Sequence, residues 1–429
     1  MTTAGQADQS ASEGPRPLAG HRSALILLLL AYTLSITDRM ILSVLFTPIK
    51  AEFGLSDTQL GLLGGLAFAI FYATLGIPVA RLADRGNRKL IIVLSLVVFS
   101  VFTVLCGFAV GLVTLILFRI GVGIGEAGVN PASQSIVADY YPPEKRSSAM
   151  AILMLGANIG MIFGFIVGGA ISEHYGWRVA LIAVGAPGVL LTFFVMAFLK
   201  EPPRGTFESE AHDTPAPVRE IFLRLWHAPA TRFLVFAITL QAMLGYGLAQ
   251  WLPSFLMRTH GIAEAQAGAV MGLVFGVAGI LGAITGGKLC DRAARGGNHH
   301  IPRLLGNVTL IAVPILAIAF QVPHLVASLP LFFIPIFLIN FYLGPSLGLV
   351  QTLSPVRMRA VSAALVMLAM NLIGLGLGPV LIGVGSDLLE PAFPGRGLAI
   401  ALSIAALTGL VSAYFFRRSA AALANAKAE

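Results

Sequence analysis

Twelve apolar stretches, each long enough to cross a bilayer, follow one another through this chain with little but short polar turns between them. A hydrocarbon core of about 30 Å needs about 20 residues of helix. Stretches of that kind fall at 24–49, 58–82, 88–109, 111–139, 147–171, 177–199, 231–257, 264–288, 302–321, 327–350, 358–385 and 396–417. Backbone N–H and C=O groups in hydrocarbon must be satisfied within the segment, so each stretch is predicted to be a helix. The composition agrees, with 57% of residues hydrophobic and 11% charged, against about 25% charged in a soluble domain. Two cysteines in 429 residues, Cys106 and Cys290, offer no disulfide framework.

The longest polar interval, 200–230, mixes charge, Pro and Ser and separates two sets of six spans. The expected organisation is a disordered cytoplasmic tail at 1–22, a six-helix bundle at 23–199, a cytoplasmic linker at 200–230, a second bundle at 231–418 and a short tail at 419–429. Residues 1–22 lack the basic start, short apolar core and cleavage site of a signal peptide, so span 1 is expected to insert uncleaved. Of the 28 Lys and Arg, 22 fall on the side of the termini, four on the other side and two inside spans. Basic residues concentrate in cytoplasmic loops, so both termini are expected in the cytoplasm. This distribution accounts for the net charge of +8 without a nucleic-acid partner.

The halves are related in sequence. A shift of 207 residues lays Gly54, Gln59, Gly61 and Asp84-Arg85 onto Gly261, Gln266, Gly268 and Asp291-Arg292, and a shift of 213 lays Arg146 and Asn158 onto Arg359 and Asn371. Parallel six-helix repeats are a transporter architecture whose substrate site lies between the halves near midplane. The stretch Ala80-Arg81-Leu82-Ala83-Asp84-Arg85-Gly86-Asn87-Arg88-Lys89, echoed by Gly287-Lys288-Leu289-Cys290-Asp291-Arg292, resembles the loop motif between helices 2 and 3 of the major facilitator superfamily. The resemblance implies an all-α membrane protein of twelve transmembrane helices in two six-helix bundles. It also implies a gating role for Asp84, Arg85, Arg88, Asp291 and Arg292, whose charge-assisted contacts at helix ends can form in one state and break in another.

Gly123-Ile124-Gly125-Glu126-Ala127-Gly128 satisfies the dinucleotide fingerprint in form, but it sits inside an apolar span with no strand before it, the wrong context for a nucleotide. Gly121 with Gly125, and Gly160, Gly164 and Gly168, instead have the spacing of small residues that pack helix on helix. The segment Gly160 to Gly169 resembles a span 5 motif associated with antiporters, with Phe165 where that motif has Pro.

Four ionisable residues lie well inside the spans: Asp38 and Arg39 in span 1, Arg119 and Glu126 in span 4; all eight His lie outside the spans or at their edges. A charge at the bilayer centre costs at least ~2.5–3.5 kcal/mol, so four of them imply pairing, water or function. Arg119 and Glu126 are two helical turns apart and share a face. In the fold the resemblance implies, spans 1, 4, 7 and 10 line a central cavity, which sets Asp38 and Arg39 opposite that face. Asp38 and Glu126 are then the candidate proton carriers, and Arg39 and Arg119 the candidate anchors for an anionic group. A structural salt-bridge cluster locking spans 1 and 4 is the bland account. The second half has no such charges; its candidate substrate contacts are Tyr246, Gln250, Asn340, Tyr342, Met367, Met370 and Asn371, set among Phe and Leu. A cavity charged on one wall and apolar on the other suits an amphiphile.

Asp38-Arg39, the Asp84-Arg85-Gly86-Asn87-Arg88-Lys89 loop and Arg119-xxx-Gly123-x-Gly125-Glu126-Ala127 together resemble the Spinster family. Animal Spinster proteins move lysophospholipids or sphingosine-1-phosphate, so the resemblance implies proton-coupled, alternating-access transport of a lipid with a charged head and one chain. It implies a multi-pass protein of the bacterial inner membrane, monomeric, with protons and bilayer lipid as its other partners. The alternatives are a proton-coupled carrier of small organic anions such as sugar acids, a drug-like exporter, or a receptor that no longer transports. No enzymatic activity, cofactor or metal site is expected.

Overall fold

The computed structural model describes residues 16–207 and 217–425 of the chain. Much of the expected N-terminal tail (1–15), the middle of the linker (208–216) and the last residues (426–429) lie outside the described residues. Among the described residues there is no strand, and twelve helices are long and apolar enough to cross a membrane. They are span 1 (His21–Phe53), span 2 (Asp57–Ala83), span 3 (Arg88–Cys106), span 4 (Leu112–Tyr140), span 5 (Pro143–Tyr175), span 6 (Trp177–Phe198), span 7 (Pro229–His260), span 8 (Glu264–Ala294), span 9 (His300–Ala319), span 10 (Leu325–Leu353), span 11 (Arg359–Leu389) and span 12 (Gly397–Asn425). An even number of crossings puts the two chain ends at one end of the bundle, here the terminal end; the loop between spans 1 and 2 marks the far end.

Local chemistry sets where the helices start and stop. Span 2 begins with a capping box in which Ser56 and Gln59 satisfy each other's backbone amides, and Asn87 caps span 3 through Leu90 N. Span 5 opens on Pro143, whose missing amide hydrogen is not needed in a first turn. The repeat seen in sequence has a conformational counterpart. Gly54 and Gly261, one repeat apart, both end their helices in the left-handed region, at φ 64° and 65°, and return their N–H to Lys50 O and Met257 O.

Several spans are interrupted. Span 2 breaks at Gly65, span 4 at Ala127-Gly128 and span 10 between Ile339 and Leu343, while spans 8 and 11 each contain a π-helical segment, Gly272–Val277 and Met370–Leu375. Between spans 6 and 7 the linker forms a short helix, Val218–His227, whose Ile221 is buried against Met358, Val361 and Leu365.

Span 1 is held against span 5 by the glycine stripe. A side chain at Gly160 would run into the Thr33 carbonyl, and one at Gly164 would meet Thr37 O at 2.8 Å. The close approach lets Thr37 Oγ1 donate to Gly160 O at 3.1 Å. Gly121 and Gly125 play the same part for span 4, where added carbons would strike the Phe102 ring and the Phe99 backbone of span 3. With no hydrophobic force between helices in lipid, this close packing fixes where span 1 presents its polar residues.

Gly160→Val is expected to destabilise the fold by about 1–3 kcal/mol through overpacking, read as a lowered thermal unfolding midpoint in detergent. Gly245→Val, where an added carbon meets nothing within 4 Å, is the matched control and is expected to leave the midpoint unchanged.

Candidate functional site

Asp38 and Arg39 are neighbours on span 1 and so point about 100° apart, while Arg119 and Glu126 are separated by about 10 Å along span 4. One residue on span 4 therefore cannot serve both. The structure resolves this by pairing across the two helices: Arg39 Nη2 donates to Glu126 Oε2 at 2.6 Å, and Arg119 Nη1 to Asp38 Oδ2 at 3.3 Å. All four are removed from solvent, with 1% of Asp38, 5% of Arg39, 0% of Arg119 and 1% of Glu126 exposed.

Neutral donors complete part of the cluster. Thr103 of span 3 donates to Asp38 Oδ1 at 2.5 Å, and Ser35, one helical turn before Asp38 and Arg39, donates to Glu126 Oε2 at 3.0 Å. Rings of span 2 take the remaining face: the Arg39 guanidinium lies 4.8 Å from the Phe68 centroid and 4.5 Å from that of Tyr72, and Arg119 lies 5.3 Å from Phe68. Satisfaction stops short of complete. Arg39 Nε, Arg119 Nε and Nη2, and Glu126 Oε1 are buried without a hydrogen-bond partner among the described residues. Arg119 is the least satisfied, holding one long hydrogen bond for a five-donor fork.

The residues expected to face this cluster from the second half are placed in different ways. Tyr246 of span 7 lies close enough to Arg39 and Tyr72 to interact with both, and Tyr342 of span 10 is close to Tyr246 in turn. Tyr32 of span 1 joins the same group, so four partly buried tyrosines lead from the charges toward the opposite half. Gln250 is buried with neither amide atom bonded among the described residues, and its Oε1 and the Phe46 ring both border Gly64. Asn340 folds its amide back onto Ile336 O at 2.7 Å, at the break in span 10. Met370 and Asn371 sit in the π-helical segment of span 11, Met370 buried and Asn371 half-buried, whereas Met367 is exposed. Sequence alone does not single out Phe68, Tyr72 and Tyr32, since aromatic residues in an apolar span carry no signal of what they face.

Among the loop residues, Arg88 is buried and engages Asp139, Ser135 and the linker residue Glu201, the last at 2.6 Å, while its Nη2 reaches Pro202 O at 2.9 Å. These contacts stay within the first half and the start of the linker. Arg85, Asp291 and Arg292 are exposed; the side chain of Asp84 lies outside the described residues.

Residues 28–379 match the family model of the Major Facilitator Superfamily. The chain belongs to that superfamily. It is 31% identical over 398 residues to an MFS-type efflux pump of Mycolicibacterium smegmatis, covering 92% of this chain and 90% of the pump. It is 28% identical to protein spinster homolog 1 of Xenopus laevis over 430 residues, covering 93% and 81%. A crystal structure of a bacterial homolog of the human lysosomal transporter Spinster, in an inward-facing and unoccupied conformation, superposes with a TM-score of 0.87 at 31% identity over 95% of this chain and 98% of that one. The chain is thus a Spinster-like major facilitator protein, and the family and fold are those of transporters rather than enzymes.

In this major facilitator fold, hydrogen bonds among the described residues join the two halves at the far end. Asp57, at the start of span 2, is buried and accepts from Lys50 at 2.6 Å, from Arg258 of span 7 at 2.8 and 2.9 Å, and from Ser386 of span 11 at 2.6 Å. Asp387 of span 11 reciprocates by accepting from the Asp57 and Thr58 amides at 2.9 and 2.7 Å, so a carboxylate of one half caps a helix N-terminus of the other. Thr47 with Ser254, and Glu173 with the Ala265 amide, add to the seam. This lock is absent from the sequence expectations, but a signal for it exists: Lys50 and Arg258 are two of only four basic residues on the sparse side. Cations set against the prevailing charge bias need a local partner.

Arg258→Gln removes both charge-assisted bonds to Asp57 and is expected to raise amide exchange of residues 55–60 about tenfold or more, while exchange in the span 1–span 5 contact stays as in the parent. Mass-spectrometric hydrogen exchange on the purified protein measures both regions in one run.

Proposed function

We propose that the chain is a proton-coupled transporter of an amphiphile with an anionic or zwitterionic head and one acyl chain, a lysophospholipid or a sphingosine-phosphate-like lipid, working by alternating access. The observation that carries the reading is the incomplete pairing of Arg119. A guanidinium that is buried and bonded through one nitrogen has donors left for the oxygens of a phosphate or carboxylate. A purely structural ion pair gains from full satisfaction, because unpaired buried donors cost about 1–3 kcal/mol each.

The geometry supports a division of labour. Arg39 and Arg119 take the head group; Asp38 and Glu126 neutralise them in the empty carrier. When the head group replaces a carboxylate at its arginine, that carboxylate faces low dielectric with no cation beside it and takes up a proton. The four tyrosines give the head group's remaining oxygens hydroxyl donors, and the neutral second half receives the chain. The far-end seam, together with the likeness to a homolog in an inward-facing conformation, supports a carrier closed on one side while substrate enters from the other. The charge bias of the loops supports both termini in the cytoplasm.

Arg119→Lys keeps the charge and loses the fork. It is expected to weaken binding of a lysophospholipid about tenfold with an unchanged unfolding midpoint, measured by ligand-induced thermal shift. Parent protein stabilised by a hexuronate and not by lysophospholipid would instead favour the small-anion reading.

Asp38→Asn and Glu126→Gln are expected to abolish transport driven by a pH gradient in proteoliposomes while leaving folded protein. Uptake at the parental rate in both variants would remove protons from the mechanism.

A further inference from the structure

A second chemical surface lies where the linker helix meets spans 7 and 12, remote from the interior charges. The helix Val218–His227 buries Ile221 against the second half. On another face Phe222 and Trp226, one turn apart, are 53% and 48% exposed and stack with centroids 6.2 Å apart. The ladder of rings continues off the helix: Trp226 meets Phe236 edge-on at 5.9 Å, and Phe236 meets Phe415 at 5.4 Å. Phe236 is seven residues inside span 7, about 10 Å along its axis, on an outward-facing surface. The rings therefore run from a helix at the membrane boundary into the hydrocarbon, the depth at which tryptophan concentrates.

Cations crown this face, and among the described residues no salt bridge engages them. Arg232 and Arg418 each hold a guanidinium 5.3 Å from the centroid of one ring, Phe233. Residues 221–263 and 391–425 contain no Asp or Glu, so the two helices that bear these arginines offer them no carboxylate. Glu220 on the linker helix faces Arg357 instead, at 3.6 Å. Two like charges drawn to one ring above an apolar ladder are complementary to a ligand with a phosphodiester at one end and hydrocarbon at the other.

We propose that this face holds an anionic phospholipid of the surrounding leaflet, its phosphodiester between Arg232 and Arg418 and an acyl chain along Trp226, Phe236 and Phe415. The guanidinium fork matches phosphate oxygens. The bound lipid ties the linker helix to spans 7 and 12, and thus fixes the start of the second half relative to the bilayer. This site is independent of the transport reading, because none of its residues touches the charge cluster.

Trp226 is a built-in reporter, since Trp177 and Trp251 are only 4% and 0% exposed. The full-length protein in phosphatidylcholine vesicles is titrated with brominated phosphatidylglycerol or, in parallel, brominated phosphatidylcholine, and quenching lost in Trp226→Phe is assigned to this site. Phosphatidylglycerol is expected to associate more strongly, by about fivefold for each arginine. The preference should fall to parity in Arg232→Gln/Arg418→Gln. Arg418→Gln alone, at an exposed side chain, should halve it or more, and serves where the double variant is not monodisperse. Equal association of the two lipids in the parent overturns the proposal, as does a preference that survives both substitutions. Displacement to parity by soluble glycerol phosphate would overturn the lipid as occupant.

Discussion

Everything in the first half is arranged around the need to keep four charges in a region that rejects them. Isolated, each would cost several kcal/mol at the bilayer centre; paired across spans 1 and 4, each neutralises another. The crossed pattern follows from helix geometry, because adjacent residues on span 1 diverge and residues two turns apart on span 4 are too distant to share a partner. It constrains the surroundings in turn. Span 1 must sit at a fixed depth and rotation, which the glycine stripe of span 5 supplies. Spans 2 and 3 must bring Phe68, Tyr72 and Thr103 to the exposed edges of the cluster.

The two ionic systems differ in what they join, and that difference has mechanical meaning. The charge quartet links helices of one half, so the halves can move without breaking it. The Asp57–Arg258–Asp387 seam links helices of different halves, so separation at the far end must break every one of its bonds. Arg258 keeps part of its side chain exposed, 23%, and water can replace Asp57 as its partner, while Lys50, in the same half as Asp57, can keep its bond. The lost bonds are therefore partly compensated. On the proposed alternating-access reading, such a seam would open at lower cost than a fully desolvated ion pair at the same place.

Span number, the two-half division and the helix-packing glycines were legible because each rests on a local property of sequence: length of apolar run, a break in hydropathy, the spacing of small residues. The membrane charges were legible because they contradict their surroundings. The pairing among them was not, since four residues allow more than one match and only the relative rotation of two helices decides. Asp387 shows the same limit from the other side. Near the end of a span a carboxylate is unremarkable, and that it caps span 2 of the other half depends on how the halves meet. Asn340 illustrates a third case, a polar residue in a cavity-lining span whose amide serves its own helix at a break.

The repeat relation makes the asymmetry between the halves informative. Gly54 and Gly261 end equivalent helices with the same left-handed turn, so both halves descend to the same local geometry where nothing functional intervenes. They part company in the interior: charges stand on spans 1 and 4, while π-helical segments interrupt spans 8 and 11. A π-helical segment inserts a residue and shifts the register of the helix beyond it, and in span 11 Gly376, the first residue after the segment, lies against span 2. There the Gly376 carbonyl would lie 2.7 Å from any side chain placed on Gly65, itself the break in span 2. Two irregular helices from opposite halves thus meet with bare backbone at their point of contact. Backbone meets backbone there with Leu66 and Ala69 of span 2 packed beside Gly376, and on the proposed alternating-access reading this close contact would have to loosen together with the far-end seam.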